Sequence, residues 1–272
     1  MSNVFVDLKD IVHQSVRYID THFDLANPNA GREMYNVEHV EGAIYWDLEK
    51  DLSDMTSTQG RHPMISKEKM TDLVQKAGLT FEDSIVIYDQ GGSPFALRAY
   101  FLLEWAGFKN VRVLREGYSA IKKVVPITDK VIEYKQSAVL PQWNDALYMD
   151  IEKVQEVVNG QSEGQLIDAR SAARYRGEVE PIDPVAGHIP TALNFDWEQL
   201  KNDGAFLSEE LISEKLKVVA DKSKPVIAYC GSGVTAAPLY ASLKEAGYTD
   251  VRLYVGSFSD WIRENEVEKV NS

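Results

Sequence analysis

A chain of 272 residues is long for one compact domain and comfortable for two, and 44% hydrophobic against 26% charged residues is an ordinary globular balance. A formal net charge of −13 argues against general nucleic-acid binding, which wants a basic face, and leaves any anionic ligand to be drawn in by a local positive patch. One cysteine allows no internal disulfide, residues 1–14 lack a signal-peptide pattern, and no run is long enough to cross a membrane; the expectation is a soluble, cytoplasmic protein.

In chain order, residues 16–20 (V-R-Y-I-D) read as a strand ending in an acid, and G-A-I-Y-W-D (42–47) follows a polar loop. Met70, Leu73, Val74 and Ala77 give helical spacing over 66–77, closed by Gly78 as a left-handed cap. Ile85–Tyr88 is a buried-type strand, D-Q-G-G-S (89–93) a turn, 95–106 a helix stopped by Gly107, and Val111–Leu114 another strand. The second half repeats this order. L-I-D-A-R (166–170) stands for the first acidic strand end, and 187–195 matches 38–46, pairing His39 with His188. A helix over 208–220, the strand Val226–Tyr229, a helix ending at Gly247 and the strand Val251–Tyr254 complete it. An internal repeat of half the chain, with strands alternating with helices, predicts an α/β fold of two tandem domains, each a mostly parallel sheet flanked by helices. The expected divisions are 1–123, a linker at 124–145 holding Pro126 and Pro141, and 146–272.

The chemistry concentrates in P-V-I-A-Y-C-G-S-G-V-T-A-A (225–237), which holds the single cysteine, Cys230. An apolar strand runs into the cysteine, Gly231 and Gly233 turn the chain, and a helical pattern through Leu239, Leu243 and Ala246 follows, with Pro238 tolerated in the first turn. A strand–glycine–helix turn of this kind makes a cup of backbone N–H groups that stabilises negative charge, as a nucleophilic thiolate requires. The equivalent turn of the first half carries Asp89, which can accept N–H bonds but cannot attack sulfur; it reads as a structural cap. One half is active and the other supports it.

These residues resemble the tandem-domain rhodaneses, the family of thiosulfate and 3-mercaptopyruvate sulfurtransferases, over nearly the whole chain. The motifs are L-I-D-A-R (166–170), R-Y-R-G (174–177), G-H-I-P (187–190), C-G-S-G-V-T-A (230–236) and G-S-F-S-D-W (256–261). The resemblance implies two rhodanese-like domains, the first inactive, a site in the cleft between them, and a ping-pong reaction through a persulfide on Cys230. It implies a small anionic sulfur donor, a cyanide or thiol acceptor (a thioredoxin-like reductant among them), and no metal or organic cofactor, nucleic acid or membrane. A serine-protease-like trio of the mercaptopyruvate branch maps onto Ser232, His62 and Asp54, and the neutral loop residues Gly231, Gly233, Val234 and Thr235 would bind the donor. Arg176 matches an arginine that holds the donor's carboxylate or sulfonate. The pattern departs before G-H-I-P, where Ile182 stands about where a second arginine is expected; Arg61 would supply the replacement charge. His188 and Trp261 read as structural, and the acidic clusters at 178–183 and 264–268 as solvated faces. A cysteine phosphatase would need an arginine six positions after the cysteine, where this chain has Ala236. The alternative of a persulfide carrier or partner-binding module without turnover stays open.

Overall fold

A computed structural model describes residues 4–11, 14–217 and 221–270; the last three residues of the helix expected over 208–220 lie outside them. Among the described residues each half builds one five-stranded sheet, and both sheets are parallel throughout. The first runs Phe5–Val6, Val111–Leu114, Ile85–Tyr88, Arg17–Asp20, Ile44–Tyr45. The second, read from its opposite edge, runs Tyr148–Met149, Val251–Tyr254, Val226–Tyr229, Gln165–Asp168, Leu193–Asn194. The two orders are the same. The central strands Ile85–Tyr88 and Val226–Tyr229 are buried on every residue, which is why they read as unbroken apolar runs rather than alternating ones.

The repeat extends to side chains. Asp20 pairs with Tyr88 and Asp168 with Tyr229, and the Tyr88 and Tyr229 hydroxyls accept the amides of Val40 (3.3 Å) and Ile189 (3.1 Å). His39 stacks on Tyr35 with Nδ1 2.6 Å from its carbonyl oxygen; His188 does the same with Tyr175 at 2.8 Å. Both imidazoles are held from below and serve packing. Trp261 is likewise buried, donating to the Glu266 carbonyl at 2.8 Å.

Helix Lys67–Lys76 starts where Ser66 accepts the Lys69 amide at 3.1 Å and ends before Gly78, whose φ of +65° is the expected left-handed cap. Helices Phe95–Trp105 and Ala236–Glu245 are buried on nearly every face because they pack on each other as well as on their own sheets. Phe101 meets Tyr240 edge to face at 5.3 Å, the Tyr240 hydroxyl donates to Glu104 at 2.7 Å, and Glu104 also pairs with Lys244. One apolar core therefore continues through both halves. The stretch expected as a linker is laid against the first half. Ile127–Thr128 pairs antiparallel with His39–Val40, the Tyr134 hydroxyl donates to Gly42 O at 2.9 Å, and the Ser137 and Gln142 amides donate to Gln75 O and Ala106 O.

Five of the described α-helices go beyond the sequence expectations, three of them short, at Tyr118–Ile121, Ala172–Arg176 and Ser257–Trp261, and two of eight residues. Ala30–Val37 buries only Gly31 and Tyr35 and leaves Met34 and Val37 exposed, so no core-facing stripe stands out in its sequence. Ile151–Val158 does carry one, through Ile151, Val154 and Val157, with Asp150 accepting the Lys153 amide as its cap.

Candidate active site

Cys230 sits one residue past the end of Val226–Tyr229, at the carboxyl edge of a parallel sheet, and the helix Ala236–Glu245 opens six residues later. Its sulfur is buried, with the Gly233 amide donating to Sγ at 3.1 Å and the Ser257 hydroxyl 4.0 Å away. Gly233 takes φ +74°, and a Cβ there would lie 2.1 Å from the Val255 carbonyl oxygen, so only glycine lets the loop close on the sulfur. From below, the Cys230 amide donates to Ser257 Oγ (3.1 Å), and the Phe258 and Ser259 amides donate to the carbonyls of Cys230 and Gly231. Ser257 is held at φ +55°, a strained setting for a residue with a Cβ, fixed by its hydroxyl bond to Tyr254 O at 2.8 Å.

The first half reaches into this loop. Around 60–62 the chain lies against 256–259, where the Arg61 amide donates to Ser259 Oγ at 3.1 Å. That contact sets His62 Nδ1 2.9 Å from Ser232 Oγ, both residues being buried. Burial, and then the Arg98 and Arg61 charges, push the His62 pKa down to about 4, so the ring is neutral near pH 7. Arg98 is itself fully buried on Phe95–Trp105 and ties down the segment that carries His62 by donating to the carbonyls of Leu52, His62 and Pro63 at 3.2–3.3 Å. Burial lowers its pKa to about 10, and it remains a cation. The relation is reciprocal: in the other half, Lys201 donates to Gly92 O at 3.0 Å and Gly204 closes on the Asp89 turn. There the Asp89 carboxylate accepts the amides of Gly91 (2.8 Å) and Ala96 (3.1 Å), as a cap does.

Two expected site residues have other partners in the structure. The Asp54 carboxylate accepts the Thr56 amide and hydroxyl at 3.1 and 2.6 Å, as a turn cap does, and no hydrogen bond among the described residues joins it to His62. Arg176 is forked to Glu178 at 2.6 and 2.9 Å with its side chain 41% exposed. The arginine of that motif facing the loop is Arg174, 16% exposed. On the single turn Ala172–Arg176, positions two apart point about 200° from each other, so only one of the two can face the cysteine. A Cβ on Gly231 would come 2.6 Å from Arg61 Nη2 and 3.5 Å from Arg174 Nη2, so two guanidinium groups, one from each half, lie over the loop. The expectation that 178–183 is a solvated acidic face holds for Glu178 and fails for Glu180 and Asp183. Glu180 grips Arg174 (2.7 Å) and Arg170 (3.2 Å), and Asp183 bridges Arg61 and Arg174. Burial works against the charge on Glu180, but Arg174 and the amides of Asp183 and Ile182 outweigh it and hold its carboxyl below the usual range. Val234 is buried, and Thr235 lines a cleft of about 440 Å³ with Phe95 and Trp197.

The arrangement is a buried nucleophilic sulfur, an amide aimed at it, a hydroxyl–imidazole pair and a paired-arginine roof. Arg98, Arg174, Glu180, Asp183 and Ser257 were not singled out from sequence. The only signal for Arg98 was a charge inside an apolar helix, and for Ser257 its motif.

Comparison with known proteins identifies the family of the chain. The family model of the rhodanese-like domain matches residues 7–124 and 153–264. A probable 3-mercaptopyruvate sulfurtransferase from Pseudomonas aeruginosa is 38% identical over 252 residues, covering 90% of this chain and 88% of that one. A thiosulfate sulfurtransferase from Rattus norvegicus is 30% identical, covering 93% and 86%. The crystal structure of a 3-mercaptopyruvate sulfotransferase from Escherichia coli superposes with a TM-score of 0.80 at 26% identity, over 94% of this chain and 99% of that one. The chain belongs to the rhodanese-like family, as a two-domain sulfurtransferase of the rhodanese type.

Proposed function

We propose that Cys230 accepts a sulfur atom from a small carboxylate-bearing thiol, 3-mercaptopyruvate, and passes it from a persulfide to cyanide or a thiol. The Cys230 thiolate attacks the donor's sulfur; an S–S bond forms, the donor's C–S bond breaks, and its electron pair goes to carbon. That carbon takes up the proton the donor's sulfur carried, leaving pyruvate and Cys230–S–S⁻. An acceptor then attacks the outer sulfur, and the S–S electron pair returns to Sγ.

The observation that carries this reading over thiosulfate is the Ser232–His62 hydrogen bond of 2.9 Å. A carbon leaving group must be protonated, and a hydroxyl backed by a neutral imidazole can relay the proton; sulfite leaves as a stable anion and needs none. The Asp183 carboxylate spanning Arg61 and Arg174 adds support, because the same fork accepts a donor's carboxylate. The Gly233 amide would hold the charge on the outgoing and returning sulfur.

The test compares kcat/KM for 3-mercaptopyruvate and thiosulfate with cyanide as acceptor. The expected result is at least about a hundredfold preference for 3-mercaptopyruvate, on the scale of one lost proton transfer, with both activities absent in Cys230→Ser. A preference for thiosulfate would overturn the choice of donor.

A further inference from the structure

The arginines over the cysteine loop are already occupied. Asp183, its side chain 3% exposed, binds Arg61 through Oδ1 and Arg174 through Oδ2 at 3.2 Å, while Arg61 Nη2 and both Arg174 Nη atoms crowd Gly231. A donor reaching the buried Cys230 sulfur with a negative end meets a carboxylate seated where that end would bind. The turn carrying Asp183 is anchored from within, since Glu180 Oε1 accepts the amides of Ile182 and Asp183 at 3.1 Å. Little else holds it down: Val179, Ile182 and Val185 are exposed apolar residues, so the turn buries little apolar surface. Glu180 holds Arg174 and Arg170 by contacts of its own, separate from those of Asp183.

We propose that Asp183 is a specificity-determining residue: its carboxylate fills the donor's anion seat in the free enzyme, and an anionic donor enters by replacing it between Arg61 and Arg174. This rests on the reading of that arginine pair as the donor seat. Replacing one carboxylate by another leaves the charge of the seat unchanged, which suits a monoanionic carboxylate. A dianion would add charge beside Glu180, and a neutral reagent gains nothing from the exchange.

The test measures alkylation of Cys230 by iodoacetate and by neutral iodoacetamide, alongside donor kinetics, in wild type, Asp183→Asn and Asp183→Glu. Removing an internal competitor raises apparent affinity by the inverse of the fraction of seats that were free before. Asp183→Asn is expected to raise the iodoacetate-to-iodoacetamide rate ratio about tenfold and lower KM for 3-mercaptopyruvate by a similar factor with kcat little changed, and Asp183→Glu to restore wild-type values. In wild type, pyruvate at a concentration that protects Cys230 from iodoacetate is expected to speed hydrogen exchange at the Ile182 and Asp183 amides, which Glu180 Oε1 accepts in the free enzyme; this arm uses no variant. An unchanged ratio and KM in a folded Asp183→Asn protein, or unchanged exchange under protecting pyruvate, would overturn the proposal. The alkylation ratio reads the seat without sulfur transfer, so failure of the proposed function alone leaves a raised ratio intact.

Discussion

At the level of single residues, two neighbours in one short helix have opposite fates. Arg174 faces the loop and is mostly buried, whereas Arg176 sits in solvent with Glu178. Arg174→Ala is expected to raise KM for 3-mercaptopyruvate about ten- to a hundredfold, the cost of losing a charge-assisted contact to a carboxylate. Arg176→Ala should stay within about twofold, because exposed ion pairs contribute little. Steady-state kinetics on the two variants checks this, and a reversed order would show that Arg176, and not Arg174, meets the donor. His62 offers a second check. Its folded pKa of about 4 lies below the unfolded value near 6.5, so between them only the unfolded chain binds the proton. The stability from keeping this ring neutral is present above pH 6.5 and is lost as pH falls toward 4. Activity is accordingly expected to show no protonation step of His62 between pH 5 and 8, whereas His62→Asn should lower kcat with 3-mercaptopyruvate about a hundredfold and spare thiosulfate. Equal losses with both donors would remove the proton-relay role.

The elements show how much was legible and why. Ile85–Tyr88, Val111–Leu114, Val226–Tyr229 and Val251–Tyr254 stand where the sequence predicts them; the two central ones are covered on both faces and wholly apolar, while the flanking two each carry one half-buried arginine, Arg112 and Arg252. The cysteine loop was legible for a similar local reason, since Gly233 answers a backbone demand at its own position. What could not be read were partners brought from afar: Asp183 to Arg61 spans 122 residues, and the choice between Arg174 and Arg176 depends on the phase of one helical turn. Gly233→Ala is expected to destabilise the protein by about 1–2 kcal/mol in urea unfolding, from its left-handed φ alone, and more if the Val255 contact cannot relax. The supporting turn has its own signature. Burial raises the Asp89 pKa to about 6, above the unfolded value near 4, so the folded state holds the extra proton between them. Stability is fully present below pH 4 and falls, by on the order of 2–3 kcal/mol, as pH rises through 6. Asp89→Asn should flatten that part of the pH–stability curve; an unchanged slope would show that the carboxyl is not desolvated.

Across the whole molecule, the two halves are not an active domain with a passive companion. Each lends a segment to the other's strand–helix turn, and the segment that covers Cys230 carries Arg61 and His62. The shared core between Phe95–Trp105 and Ala236–Glu245 fixes that exchange. Phe101→Ala, in the helix contact between the halves, is therefore expected to cost about 3–5 kcal/mol and to lower activity along with stability. The central claim is that Cys230 carries the transferred sulfur, and the mass of its peptide after exposure to 3-mercaptopyruvate tests it most directly. The account predicts a gain of one sulfur atom on that peptide alone, discharged by cyanide with release of one thiocyanate per chain. No gain with 3-mercaptopyruvate or thiosulfate, on a Cys230 that iodoacetamide still alkylates, would contradict it.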